Sequence, residues 1–150
     1  MTQEPARATG RPRTIDEVLA EAMSRLHRLT PAEADAARSK GAVIVDIRPA
    51  ARRAAEGELP FATVIERNVL EWRFDPASDA SLPIASHDLA VVVLCQEGYT
   101  SSLAAAALQE LGIHRATDVT GGYAAWRDWQ HEQSSQARHA SPPSTSSQQP

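Results

Sequence analysis

Ala90-Val91-Val92-Val93-Leu94-Cys95-Gln96-Glu97-Gly98-Tyr99-Thr100-Ser101-Ser102 reads as a buried strand, a thiol, a short glycine-containing loop and the first turn of a helix. The run Val91 to Leu94 is apolar without alternation and rich in β-branched side chains. That pattern suits a central parallel strand covered on both faces. Leu103 to Leu108 consists of leucine and alanine, strong helix formers. Cys95, the only cysteine in the chain, stands between the two. Open α/β sheets place ligands beyond the carboxyl ends of their strands. A helix N-terminus at that point offers unpaired N–H groups and the positive end of its dipole, both of which favour an anion. A thiolate is such an anion, and Cys95 is therefore a candidate nucleophile.

Outward from this stretch the chain alternates strands and helices. Thr30-Pro31-Ala32-Glu33 has capping-box form with proline at the first helical position, and the helix it opens ends near Gly41. Residues 43–47 form the next strand, closed by Arg48-Pro49. Asp46 and Arg48 are expected to pair, because an unpaired charge at the end of a buried strand is costly. Residues 50–56 read as a helical turn before Gly57, and 62–65 as a further strand. Val69, Leu70, Trp72 and Phe74 are expected to cover the core as a short helix or lid. Residues 78–86 read as a surface loop. After Gly112, residues 113–120 are expected as a last strand. Gly121-Gly122 then permits a tight turn into a final helix that packs Trp126 and Trp129. The fold class is α/β, a mostly parallel central sheet with helices on both faces.

Four stretches together resemble the rhodanese-type sulfurtransferases. Cys95 to Ser101 is similar to their active-site loop, Cys-x-x-Gly-x-(Thr/Ser/Arg)-Ser. Val43 to Arg48 resembles their early strand ending in Asp-x-Arg. Glu56-Gly57-Glu58-Leu59-Pro60-Phe61-Ala62 resembles their Gly-His-Ile-Pro-Gly-Ala turn, with Glu58 in place of histidine and Phe61 in place of glycine. Asp118-Val119-Thr120-Gly121-Gly122-Tyr123-Ala124-Ala125-Trp126 resembles their closing Gly-Gly-x-x-x-Trp. The resemblance spans roughly residues 29 to 130, in the family's order. It implies a rhodanese-like domain in which Cys95 takes a sulfane sulfur from a small donor such as thiosulfate and passes it, through a persulfide, to cyanide or a thiol. A protein sulfur acceptor is a further candidate partner, and no cofactor is implied.

The same resemblance makes Gln96, Glu97, Gly98, Tyr99, Thr100 and Ser101 the binding loop. Its N–H groups and hydroxyls are expected to turn inward as an anion nest. Asp46 and Arg48 are expected to hold that loop in shape. Arg67 and Arg73 are expected to border the mouth, where they would attract an anionic donor or remain solvated. Many relatives with thiosulfate activity carry a basic residue directly after the cysteine or three to five positions on. Here Gln96 and Thr100 stand in such places, and Glu97 adds a negative charge that would repel a dianion by about 1 kcal/mol. Weak thiosulfate turnover, or preference for a neutral or protein-borne donor, is expected. Two other classes compete. A phosphatase or arsenate reductase of the Cys-x5-Arg type needs an arginine clamp where this chain has Ser101. A binding or sulfur-relay module would keep the fold with little thiosulfate activity.

Composition narrows the field further. The formal net charge of −4 gives no basic footprint for nucleic acid. One cysteine with His27, His87, His114, His131 and His139 scattered makes no metal pattern. No apolar run has the length of a membrane span, and a free thiol fits a reducing cytoplasm. Residues 1–13 are expected as a disordered arm and residues 131–150 as a disordered tail. Between the arm and the domain, residues 14–28 read as an amphipathic helix capped by Thr14 and Glu17, with Ile15, Val18, Leu19, Ala22, Met23 and Leu26 along one face.

Overall fold

The computed structural model describes residues 10–140, so most of the expected N-terminal arm and the last ten residues of the expected tail lie outside the described residues. Four strands, β1 (Val43–Asp46), β2 (Thr63–Val64), β3 (Val91–Leu94) and β4 (Thr117–Asp118), form one sheet in the order β2-β1-β3-β4. Every pairing is parallel. The helices are α1 (Ile15–Arg25), α2 (Pro31–Ser39), α3 (Ala50–Glu56), α4 (Leu70–Phe74), α5 (Thr100–Glu110) and α6 (Gly122–Ala140), with a single 3-10 turn at Arg67–Val69. The fold is the α/β arrangement expected from the sequence.

Strand side chains alternate between two apolar layers. Val45, Val91 and Val93 pack with Leu70 and Phe74 of α4 and Ala104, Ala105 and Leu108 of α5. Ile44, Val92 and Leu94 face the other way, onto Ala34 of α2 and Tyr123 and Trp126 of α6. Both faces are therefore covered, which is why β1 and β3 are apolar without a polar stripe. Trp126 is fully buried, and Phe61 and Trp129 pack against its ring at centroid distances of 5.5 and 6.0 Å. Phe61 thus fills the core margin where the family turn has glycine, while Glu58 pairs with Arg53.

The helix ends follow their capping chemistry. Thr30 and Glu33 form a reciprocal capping box. The hydrogen bonds from the Thr30 main chain and hydroxyl hold the Glu33 carboxyl below its ordinary value of 4.5. At α1 Thr14 caps the helix and the Glu17 carboxylate reaches back to accept from the Thr14 hydroxyl at 3.3 Å. The Thr14 hydroxyl also accepts from Glu17 N–H, and the Glu17 carboxylate pairs in addition with Arg11. Arg11 and Arg13, expected in a disordered arm, are thus tied to α1 through Glu17 and Glu21. Of the apolar face of α1, Ala22 is buried and Ile15 is two-thirds exposed.

Three expectations are corrected. The last strand is two residues long rather than eight, because residues 113–116 form a turn closed by Ala116 N–H on the Ile113 carbonyl. Val69 and Trp72 are exposed, and only Leu70 and Phe74 of that segment enter the core. The described part of the expected tail is helical rather than irregular, because α6 runs on to Ala140 with residues 131–139 exposed. Gln, Glu, Arg and Ala extend a helix readily once a packed segment has nucleated it. Among the described residues no helix is long and apolar enough to cross a membrane.

Candidate active site

The sheet order places β1 and β3 side by side at the centre, with chain connections leaving in opposite directions. Arg48 follows β1 and Cys95 follows β3, so both emerge at the carboxyl edge where the strand order reverses. Cys95 is 7% exposed, at the base of a cleft of about 250 Å³ lined by Cys95, Gln96, Glu97, Tyr99 and Thr100.

The thiol takes over a helix cap. Helix α5 has no side-chain cap at Tyr99. Instead the Ser101 N–H, in its first turn, donates to Cys95 Sγ at 3.3 Å, and the Gly98 N–H donates at 3.2 Å. Two main-chain donors converge on one sulfur at the positive end of the helix dipole, an arrangement that stabilises negative charge there. The hydroxyls behave differently from the expectation. Ser101 Oγ donates to Asp118 Oδ2 at 2.7 Å, Ser102 Oγ donates to the Tyr99 carbonyl, and Thr100 is exposed. The cradle around the sulfur consists of amides.

The loop conformation depends on glycine. Gly98 has φ +91°, and a Cβ there would stand 2.7 Å from Gly121 N. Gly122 packs so closely that a Cβ would lie 2.8 Å from Gln96 C and Glu97 N. The first amides of α6 hold the loop from this side. Tyr123 N–H donates to the Cys95 carbonyl at 2.8 Å and Ala124 N–H to the Gln96 carbonyl at 3.0 Å.

Asp46 and Arg48 pair as expected, both about 1% exposed. Arg48 Nε and Nη2 donate to the Asp46 carboxylate, Nη1 to Gln96 Oε1 at 3.1 Å and Nη2 also to the Gly57 carbonyl at 2.8 Å. Its guanidinium lies 4.0 Å over the Tyr123 ring. The pair therefore reaches the loop through the side chain of Gln96. Arg67 and Arg73 do not join this cluster. Arg67 pairs with Glu71 one turn on and lines a separate cavity with Ile47, Arg48, Pro49 and Ala50, and Arg73 donates to the Ala80 carbonyl.

A second pair was not anticipated. Arg28 donates from Nε and Nη2 to the fully buried Asp118 carboxylate at 2.9 and 3.0 Å, and from Nη2 to the Gly98 carbonyl at 2.6 Å. Asp118 stands in the closing signature with nothing to mark a role of its own, and Arg28 carries no local pattern that would single it out. Only the capping box at Thr30, which fixes where the helix cannot yet begin, hints that residues 27–29 are extended.

Comparison with known proteins agrees with this geometry. The Rhodanese-like domain family model matches residues 30–128. The chain is 36% identical over 105 residues to the thiosulfate sulfurtransferase GlpE of Pseudomonas fluorescens (strain SBW25), covering 70% of this chain and 88% of that protein. It is 37% identical over 84 residues to the adenylyltransferase and sulfurtransferase MOCS3-2 of Zea mays, covering 56% of this chain and 17% of that much longer protein. A solved structure from Rhodopseudomonas palustris CGA009, described as a protein of unknown function and possible tyrosine phosphatase, superposes with a TM-score of 0.71 at 35% identity, covering 85% of this chain and 97% of that one. With its family model spanning the sheet and the loop after Cys95, this chain belongs to the rhodanese-like domain family.

Proposed function

We propose that the protein is a sulfurtransferase that carries sulfane sulfur as a persulfide on Cys95. The observation behind this reading is the pair of main-chain amides, Gly98 and Ser101, aimed at one sulfur at the base of a cleft. Thiolate Cys95 attacks the outer sulfur of thiosulfate, forming a disulfide-type S–S bond. The bond from that sulfur to the sulfonate breaks, and sulfite leaves with the electron pair. The terminal sulfur of the persulfide carries the negative charge, within reach of the same electropositive helix end. Cyanide or a thiolate then attacks the terminal sulfur, and the Cys95 thiolate is returned. Every step is nucleophilic displacement, so the chain's own residues suffice. A reducing compartment such as the cytoplasm keeps Cys95 free for this cycle.

A protein-borne donor or acceptor is the second reading. Arg28 and Arg48, which hydrogen-bond to the loop, are both engaged by carboxylates, and the acidic residue lining the cleft is Glu97. Such a mouth suits a persulfide delivered on a neutral or basic protein surface better than a small dianion.

Intact mass after incubation with thiosulfate, on the wild type and on Cys95→Ser, tests the proposal. One added sulfur on the wild type alone, removed again by cyanide, is the expected result. No adduct from thiosulfate or from a protein persulfide donor would defeat it. Turnover of a generic aryl phosphate would favour phosphatase chemistry instead, for which Ser101 occupies the arginine position.

A further inference from the structure

Arg28 lies just ahead of the residues matched by the family model, in the short link between α1 and α2. That link is pinned to the sheet rather than loose. Leu29 N–H donates to the Asp118 carbonyl at 3.0 Å, Thr120 N–H to the Leu29 carbonyl at 2.8 Å, and Thr117 Oγ1 to the His27 carbonyl at 2.8 Å. The backbone of residue 28 is thereby fixed beside β4, and its side chain, 19% exposed, is directed at the loop. One guanidinium then holds two separate handles of the sulfur cradle. It binds the carbonyl of Gly98, whose own N–H is one donor to Sγ. It also binds Asp118, whose carboxylate takes the hydroxyl of Ser101, whose N–H is the other donor.

We propose that Arg28 is a positioning residue for Cys95: through Gly98 and through Asp118 and Ser101 it sets both amides that hold the thiolate, so that a segment outside the matched family domain governs the reactivity of the nucleophile. Neither contact involves substrate, so Arg28 acts only through the loop. The proposal rests on Cys95 being the nucleophile of the sulfur transfer proposed above, but its test reads the thiol itself. A planar fork is needed to span a carboxylate and a carbonyl at once, and lysine supplies the charge without the fork.

The experiment is the rate of iodoacetamide alkylation against pH on the full chain, which has one cysteine and so gives one signal. Wild type, Arg28→Lys and the doubly neutral Arg28→Gln/Asp118→Asn are compared, with thermal melting to establish folding and thiosulfate-derived persulfide by mass. The double variant leaves no orphaned buried charge and keeps the test open if Arg28→Lys does not fold. The midpoint of the alkylation curve is expected to move to higher pH in each folded variant. At pH 7 the rate is expected to fall by about three- to tenfold, the scale of losing one ordinary hydrogen bond. A folded variant of either kind with the wild-type midpoint would overturn the proposal. Shifted midpoints without persulfide on the wild type would uphold the role of Arg28 and defeat sulfur transfer from thiosulfate, so the two failures are distinguishable.

Discussion

Two arginine–carboxylate pairs brace the loop after Cys95 from different sides, and they are built to different plans. Asp46 and Arg48 are two residues apart at the end of β1, and both are shut away from solvent. Asp118 and Arg28 are 90 residues apart, with the carboxylate fully buried and the arginine at the surface of the domain. Arg48 spreads its donors over Asp46, Gln96 and Gly57 and lies on Tyr123, so it ties β1, α3, the loop and α6 together. Arg28 concentrates its donors on the cradle itself. The first pair holds the framework around the loop, whereas the second sets the atoms that face the sulfur.

That division of labour can be broken by measurement. Arg48→Ala leaves Asp46 buried without its partner and is expected to cost about 3–5 kcal/mol in urea unfolding. Arg28→Ala is expected to cost less, since water can reach the space its side chain leaves. An equal or greater loss for Arg28→Ala would erase the distinction. Ser101→Ala removes one donor from the buried Asp118 and is expected to cost about 1–3 kcal/mol. If it leaves stability untouched, the link from Asp118 to the cradle is not a stabilising one.

Away from both pairs, Thr30→Ala calibrates what an ordinary helix cap contributes, about 1 kcal/mol at neutral pH. The wild-type cap should also weaken in acid. The Glu33 carboxyl is held below 4.5 by its Thr30 hydrogen bonds, so its contribution is complete above that value and is lost as the pH falls through the lowered one. Unfolding of Thr30→Ala followed from pH 6 to pH 3 should show less of this acid dependence. The smallest effect on stability belongs to Glu97→Lys at the exposed mouth. Its denaturation midpoint is expected to stay at the wild-type value, while thiosulfate kcat/KM rises by about five- to thirtyfold as about 1 kcal/mol of repulsion is removed and replaced by attraction. An unchanged kcat/KM would mean that the Glu97 charge does not act on the donor.

What the sequence disclosed tracks how local each feature is. The strand, thiol and helix from Val91 to Leu108 could be read because each signal is contiguous, and Asp46–Arg48 because its partners are neighbours on one strand end. Arg28–Asp118 could not, because nothing in either neighbourhood refers to a residue 90 positions away. Residue type alone puts the Ser101 hydroxyl in the anion nest, but that buried oxygen is claimed first by Asp118. Residues 131–139 lack an apolar stripe because they touch no core, and that absence concealed a helix carried forward from the packed start of α6.

The clamp of α6 on the loop also bears on how the protein is made. The carbonyls of Cys95 and Gln96 are held by the amides of Tyr123 and Ala124, and the loop fits only because Gly121 and Gly122 are there to meet it. A nascent chain that has emerged only as far as β4 already displays its thiol but has no clamp to close over it. Arg28, synthesised long before, waits for Asp118 in the same way. The cradle around Cys95 is thus completed only once α6 has emerged and segments from before and after the loop meet at it. Until then the Gly98 and Ser101 amides that converge on Cys95 Sγ lack the flanking segments that hold them in place.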